Sequence, residues 1–229
     1  MPRPDRLLLI ALAVLAGLAG ACAPDATAPT TSSAPAIGRP SMDEDEDEED
    51  DEGCDDDDDD DPCFLRPSDD APSLVATTTS VWAVRGQART ARLVYRPRAG
   101  ASDSTEFVRL TIPAAAELRR PDGQLVALGD SILVTLTVTD ASRGIVRFEP
   151  AGLGFGTTYP ATLTFDAAET DDDVNGDGTV DATDAALRAT FVLWRRATLV
   201  DPWAALPSTR SGSTVTASIS SFTYYAIAY

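Results

Sequence analysis

The segment that decides the fold is Ile132-Leu-Val-Thr-Leu-Thr-Val138. Its even-numbered residues are all aliphatic, whereas its odd-numbered residues are one leucine and two threonines. Successive side chains of an extended chain point to opposite faces, so the segment has one apolar face and one mostly polar face. This alternation predicts a β-strand with one face in the core and the other toward solvent.

Similar strand patterns recur on both sides of this segment in the 229-residue chain. We predict further strands at Val81–Arg85, Arg89–Arg96, Val108–Ile112, Ile145–Glu149, Leu163–Phe165, Phe191–Arg196, Val215–Ile219 and Phe222–Ala228. Turns that contain Gly or Pro separate several of them, at residues 98–100, 121–123, 128–130 and 211–212. Many short strands at this spacing are typical of a sandwich, and about 155 residues can bury a sufficient core. We therefore predict an all-β fold, an antiparallel β-sandwich over residues 73–229.

The N-terminus has the pattern of an export signal over residues 1–21. Arg3 and Arg6 precede the apolar run Leu7–Ala19, which is short for a membrane span and has the length of a signal-peptide core. The sequence Ala19-Gly-Ala21 fits a signal-peptidase cleavage site. With Cys22 next, it also resembles the lipobox of bacterial lipoproteins, although that family prefers Leu where Ala19 stands. The resemblance implies lipidation of Cys22 and anchoring on the extracytoplasmic side of a membrane, in the periplasm or at the cell surface; ordinary secretion is the alternative.

Residues 22–72 have the composition of a linker. A stretch rich in Ala, Pro, Ser and Thr is followed by an acidic run, residues 43–61, which holds seventeen carboxylates. That run accounts for most of the formal net charge of −19. We expect an extended, disordered spacer, with loose binding of cations or of a basic surface as the alternative. Without a basic patch, no nucleic-acid partner is predicted.

Two cysteines, Cys54 and Cys63, flank the last seven aspartates of the run. An isolated cysteine pair outside the cytoplasm usually oxidises, so we predict a Cys54–Cys63 disulfide. A zinc site is less favoured, because two cysteines in a chain without histidine form a poor zinc shell.

The absence of histidine and lysine limits catalysis. Histidine is the commonest general base, and lysine provides Schiff-base chemistry. An enzyme with this composition would have to be a carboxylate-dependent hydrolase, yet most carboxylates lie in the acidic run or in one loop. We therefore predict that the protein is not an enzyme and assign no catalytic residue.

That loop, residues 173–184, reads Asp-Val-Asn-Gly-Asp-Gly-Thr-Val-Asp-Ala-Thr-Asp. Its oxygen-bearing side chains have the spacing of a calcium loop, in which Gly178 provides the sharp turn and Val180 points inward. The predicted Ca²⁺ ligands are Asp173, Asn175, Asp177, the Thr179 carbonyl, Asp181 and Asp184. A short helix is predicted over 182–190 with Asp181 as its cap. The loop resembles a single dockerin repeat, whose phrase "DVNGDG" stands at 173–178 and which commonly ends on Asp.

Three phrases resemble the ZU-five domain, a β-sandwich found in ankyrins and netrin receptors. They are Leu110–Leu118, the stretch from Phe148 through Phe155 to Leu163, and the closing segment Ser221–Ala228. The chain departs from the family pattern at Ala115, where the family has Gly, and at Ser221, where it has His. The resemblance implies the fold, and a fold by itself does not imply a function.

These observations predict a non-catalytic, lipid-anchored envelope protein that binds a partner or has a structural role, with Ca²⁺ stabilising one loop. Its partner would be the membrane through the lipid anchor, together with a protein or a surface polymer. A dockerin-like adaptor in an extracellular assembly is the first alternative, and its usual second repeat is not found in the sequence. A carboxylate-dependent hydrolase is the second.

Overall fold

A computed structural model describes residues 61–229 of the chain. That part contains thirteen strands and one helix. They are β1 (Thr78–Val84), β2 (Arg89–Val94), β3 (Glu106–Ile112), β4 (Leu118–Arg119), β5 (Ser131–Asp140), β6 (Ile145–Glu149), β7 (Gly154–Phe155), β8 (Ala161–Asp166), α1 (Ala182–Thr190), β9 (Val192–Arg196), β10 (Ala204–Ala205), β11 (Ser208–Ser211), β12 (Thr214–Ile219) and β13 (Tyr224–Ala228).

The strands form two large antiparallel sheets and one small one. The six-stranded sheet has the order β1-β5-β6-β13-β9-β10, and the five-stranded sheet has the order β11-β12-β8-β3-β2. Strands β4 and β7 form a two-stranded sheet. The prediction of an all-β, antiparallel sandwich is confirmed.

The inner faces of the two large sheets share one hydrophobic core. On β5, Val134 and Leu136 are fully buried, as the alternation predicts, while Thr135 between them stays partly exposed. From the facing sheet, β8 contributes the fully buried Leu163 and Phe165. Burying apolar side chains of this size stabilises the fold by about 1.5–3 kcal/mol each.

The segment before β1, residues 63–75, crosses one end of the sandwich and is called the strap below. Its first residue, Cys63, exchanges two backbone hydrogen bonds with Tyr229, at 3.3 and 3.2 Å. Further along, the Arg66 carbonyl accepts a hydrogen bond from the Asp171 N–H. Near the end of the strap, the Ser73 carbonyl accepts a hydrogen bond from the N–H of Arg96, which follows β2. Residues 63–72, which the sequence analysis assigns to the linker, are therefore paired with the domain.

Several predictions concern residues outside the described part of the chain. These are the signal peptide at 1–21, the lipidated Cys22, most of the acidic run, and Cys54. Cys63 itself is disulfide-bonded. Within residues 61–229, no helix is long and apolar enough to cross a membrane.

Candidate metal centre

The loop predicted to bind a cation leads directly into helix α1. The Asp181 carboxylate accepts a hydrogen bond from the Thr183 N–H at 2.6 Å. In return, the Asp184 carboxylate accepts one from the Asp181 N–H at 2.8 Å. Such a reciprocal capping box satisfies two backbone donors at the start of a helix. The predicted helix over 182–190 with Asp181 as its cap is confirmed.

Asp173 organises the first half of the loop. One of its carboxylate oxygens accepts hydrogen bonds from the N–H groups of Gly176 and Asp177, at 3.0 and 3.2 Å. Its other oxygen accepts the Gly178 N–H at 2.6 Å. Gly178 has a φ of 81°, in the left-handed region where residues with a Cβ are strained. The glycine that the motif places at this position is thus needed by the backbone.

Asn175 and Asp177 lie side by side in the same turn. The Asn175 amide donates a hydrogen bond to the Asp177 carboxylate at 2.9 Å, and the Asn175 side-chain oxygen accepts the Asp177 N–H at 3.1 Å. The other oxygen of Asp177 accepts the Thr179 N–H at 2.8 Å. Three of the predicted ligand side chains are therefore close together in the first half of the loop.

Asp184 is buried and closes the loop. Besides the Asp181 N–H, its carboxylate accepts the N–H groups of Val174 at 2.7 Å and Asn175 at 3.3 Å. The hydrogen bond from Asp181 is the largest cause that holds the pKa of Asp184 below its usual value; those from Val174 and Asn175 act in the same direction, and burial opposes them. Its charge therefore fixes the two ends of the loop to each other.

One predicted orientation in the loop is wrong. The calcium-loop pattern places Val180 inward, but its side chain is 65% exposed. Val174 instead packs against the hydrophobic core, and its carbonyl accepts a hydrogen bond from the Tyr229 hydroxyl at 3.2 Å. An apolar side chain gains stability by burial only where an apolar surface lies beside it. Here the nearest apolar surface is the sandwich, so the loop docks through its second residue.

The donor atoms of the loop are of the type that a hard cation such as Ca²⁺ prefers. All are oxygens, and a carboxylate oxygen that accepts one N–H keeps a lone pair for a metal. These oxygens are not arranged as a complete coordination shell around one point, because the side chains turn toward backbone N–H groups. Within residues 61–229, no three or more acidic, cysteine or histidine side chains converge as a metal-binding group. Binding would require some of these side chains to reorient.

A second acidic feature, which the sequence analysis does not identify, lies beside the loop. An open cavity of about 470 Å³ is lined by the carboxylates of Asp69, Asp70, Asp171 and Asp172 and by one arginine, Arg98. The Arg98 guanidinium bonds the buried Glu169 carboxylate at 2.5 Å, and Thr105 donates a second hydrogen bond to Glu169 at 3.2 Å. Single glutamates and arginines in loops carry no periodic signal, so the strap and the loop had to be placed before this cluster could be recognised.

The chain matches no protein-family model, and neither curated proteins nor solved structures show significant similarity to it.

Proposed function

We propose that this protein is a non-catalytic, lipid-anchored component of the cell envelope whose sandwich has a binding or structural role and whose 173–184 loop is stabilised by Ca²⁺. The observation that carries the calcium part of the proposal is the gathering of Asp173, Asn175 and Asp177 in one turn that Asp184 closes. The ZU-five and dockerin resemblances remain part of the proposal. Export and the lipid anchor rest on the N-terminal sequence.

The proposed ligands are the side chains of Asp173, Asn175, Asp177, Asp181 and Asp184 with the Thr179 carbonyl. A bound Ca²⁺ supplies positive charge to a loop whose four carboxylates otherwise repel one another. Asp173 and Asp184 each accept three backbone N–H groups, but only Asp184 is also buried, so it has the most to lose on reorienting. Asp173 and Asp177 are therefore the side chains whose substitution tests the site most directly.

The effect on stability follows from linkage. At a free Ca²⁺ concentration of 100 times the dissociation constant, binding adds about 2.7 kcal/mol to the free energy of unfolding. For a domain of this size that is a rise in Tm of about 5–10 °C. Mg²⁺ should give a smaller rise, because it demands a tighter octahedral shell and keeps its waters.

The test compares Tm values of the mature chain in Ca²⁺, Mg²⁺ and chelator. Because the acidic run binds cations nonspecifically, the same chain with Asp173→Ala or Asp177→Ala provides the comparison, and Asp103→Ala, an exposed carboxylate elsewhere in the domain, provides the control. We expect a Ca²⁺-dependent rise in the parent and in the control that both loop variants lose. Equal rises in all four proteins would show that only the run binds Ca²⁺, and the proposed site would be rejected.

A further inference from the structure

Three arginines stack on three aromatic rings on the outer face of the six-stranded sheet. The Arg196 guanidinium lies 4.6 Å from the centre of the Trp203 ring and 5.6 Å from that of Tyr224. Arg147 lies 5.8 Å from Tyr224, and Arg143 lies 5.9 Å from Phe64. The Phe64 and Trp203 rings are 5.1 Å apart, so the stacks join into one surface. We call these six residues the platform.

The platform carries more positive than negative charge. Arg147 pairs with Glu149 at 2.8 Å, whereas Arg143 and Arg196 form no ion pair with any described residue. Asp140 is near enough to Arg143 to feel its charge, but its carboxylate accepts hydrogen bonds from Ser142 and from the Arg143 N–H. An arginine stacked on a ring is weakly hydrated and keeps its N–H edges for a carboxylate or phosphate.

Hydrogen-bonding capacity is also left over at this surface. Within residues 61–229, only two buried side-chain nitrogens have no hydrogen-bond partner, and they are Trp194 Nε1 and Arg196 Nε. The two residues occupy alternate positions of β9 and therefore share its outer face. Among residues 61–229, the Arg196 guanidinium donates only to the Leu199 carbonyl, at 3.3 Å. A polar atom that is buried without a partner is unusual. An anion that docks from outside would bond the terminal Nη groups of Arg196, because its Nε is buried.

The chain brings carboxylates to this surface by its own connectivity. Asp55–Asp61 are seven consecutive aspartates, and only Pro62 and Cys63 separate them from Phe64. Cys63 is fixed by its two hydrogen bonds to Tyr229. With Cys54 joined to Cys63, as predicted above, the run is a closed loop whose middle aspartates can lie at most about 15 Å from Cys63, at about 3.4 Å per residue. Arg143 stacks on Phe64, the residue after Cys63, and Arg196 stacks on Trp203, whose ring is 5.1 Å from the Phe64 ring. A segment that is joined to its binding surface by a short linker has an effective concentration of the order of millimolar. A free anion of similar affinity must exceed that concentration to displace it.

We propose that the aspartate run Asp55–Asp61 docks on the platform, with its carboxylates pairing with Arg143 and Arg196. A separate polyanion or an anionic lipid surface is a less favoured occupant of the platform, because the negative charge of the run repels it. Salt weakens the contact by screening, and a free platform becomes accessible only when the run is displaced or neutralised.

The test uses the full mature chain and a variant in which Asp55–Asp61 are all changed to Asn. Fluorescently labelled hepta-aspartate is titrated against each protein at about 0.01 M ionic strength, where screening extends to about 30 Å. We expect the Asn variant to bind the peptide at least tenfold more tightly than the parent, whose platform is occupied. Adding Arg143→Gln and Arg196→Gln to the Asn variant should abolish that gain. The exposed pair Arg96→Gln and Arg120→Gln should leave it unchanged.

Equal peptide affinity of the parent and the Asn variant would overturn the proposal, as would equal losses from the two arginine pairs. Sedimentation of the parent protein measures its oligomeric state and provides a second test. A monomer supports docking within one chain, whereas a dimer that Arg143→Gln and Arg196→Gln dissociate would show docking between two copies and overturn it. Far-ultraviolet circular dichroism of every variant confirms that the sandwich is folded, so that loss of binding is not loss of structure.

Discussion

The Asp184 carboxylate accepts the Val174 N–H at 2.7 Å, which joins the first turn of helix α1 to the start of the acidic loop ten residues earlier. Because Val174 also packs on the core, this bond connects the loop to the sandwich. The buried acid is therefore part of the domain's structure, whether or not a cation is bound.

Asp184→Asn should lower the free energy of unfolding more than Asp181→Ala. The Asp181 change removes one helix-cap hydrogen bond and costs about 1 kcal/mol. The Asp184 change disturbs three backbone hydrogen bonds to a buried group. Urea unfolding in the presence of chelator measures both, with Asp103→Asn as the exposed control. If Asp184→Asn costs no more than the control, the proposed role in closing the loop is wrong.

The same carboxylate gives the domain an acid limit. The folded-state pKa of Asp184 is lower than its unfolded value of about 3.9, so the ionised form favours the folded state. This stability is present above about pH 4 and is lost as the pH falls through the folded pKa. Unfolding midpoints measured across that range should fall less steeply for Asp184→Asn than for the parent. Parallel curves would contradict the assignment.

Tyr95 should give the domain an alkaline limit. Burial raises its pKa to about 12, with smaller contributions from the charges of Glu169 and Asp166. In the unfolded chain it ionises near pH 10, so stability is full below that value and is lost as the pH rises toward 12. Tyr95→Phe should flatten this loss, and ultraviolet absorbance of phenolate should show delayed ionisation in the parent. Ionisation of all tyrosines near pH 10 without unfolding would refute it.

The disulfide prediction can be settled with thiol reagents. Cys63 is disulfide-bonded, and Cys54 is the partner that the sequence favours. The mature protein, unfolded without reductant, should therefore show no labelling of Cys54 or Cys63. A peptide map should contain the two cysteines in one linked fragment. Labelling of Cys54 with Cys63 still linked would mean that Cys63 has another partner.

Cys22→Ser tests the proposed anchor. Lipidation requires the thiol, so the variant should move from the membrane fraction to the soluble envelope fraction while the parent stays with the membrane. Mass spectrometry of the parent should show an acylated N-terminal peptide that begins at Cys22. A parent that is already soluble after export would rule out the anchor and favour simple secretion.

Prediction from the sequence was most successful where a local rule decides the structure. The β5 alternation fixes which face is buried, and Asp181 fixes the start of the helix at Ala182. Strands β4, β7 and β10 were missed because two residues carry no periodicity. Strand β11 was missed because its residues, Ser-Thr-Arg-Ser, include no apolar side chain that could alternate with polar ones. The strap was missed for a different reason: its backbone pairs with distant segments such as Ile227–Tyr229, and its own side chains show no alternation.

In the site, too, features set by local geometry were predictable and features set by tertiary contacts were not. Gly178 and Asp184 follow from the loop's own geometry, whereas the direction of Val180 depends on what surface is available to it. The cluster of Arg98 with Glu169 and the stacking of Arg196 on Trp203 depend on tertiary contacts alone. No spacing rule in the sequence predicts such pairs.

The pairing of Cys63 with Tyr229 has a mechanical consequence. Tension applied to the residues that precede Cys63 reaches the domain first through three backbone hydrogen bonds, two between Cys63 and Tyr229 and one from Leu65 to Ile227. These join the strap to the end of β13 and to Tyr229, the residue after it; β13 itself lies between two neighbours in the six-stranded sheet. A pull on the residues before Cys63 would thus be transmitted across the width of that sheet, and the backbone hydrogen bonds of Cys63 and Leu65 are where the domain should yield first under force.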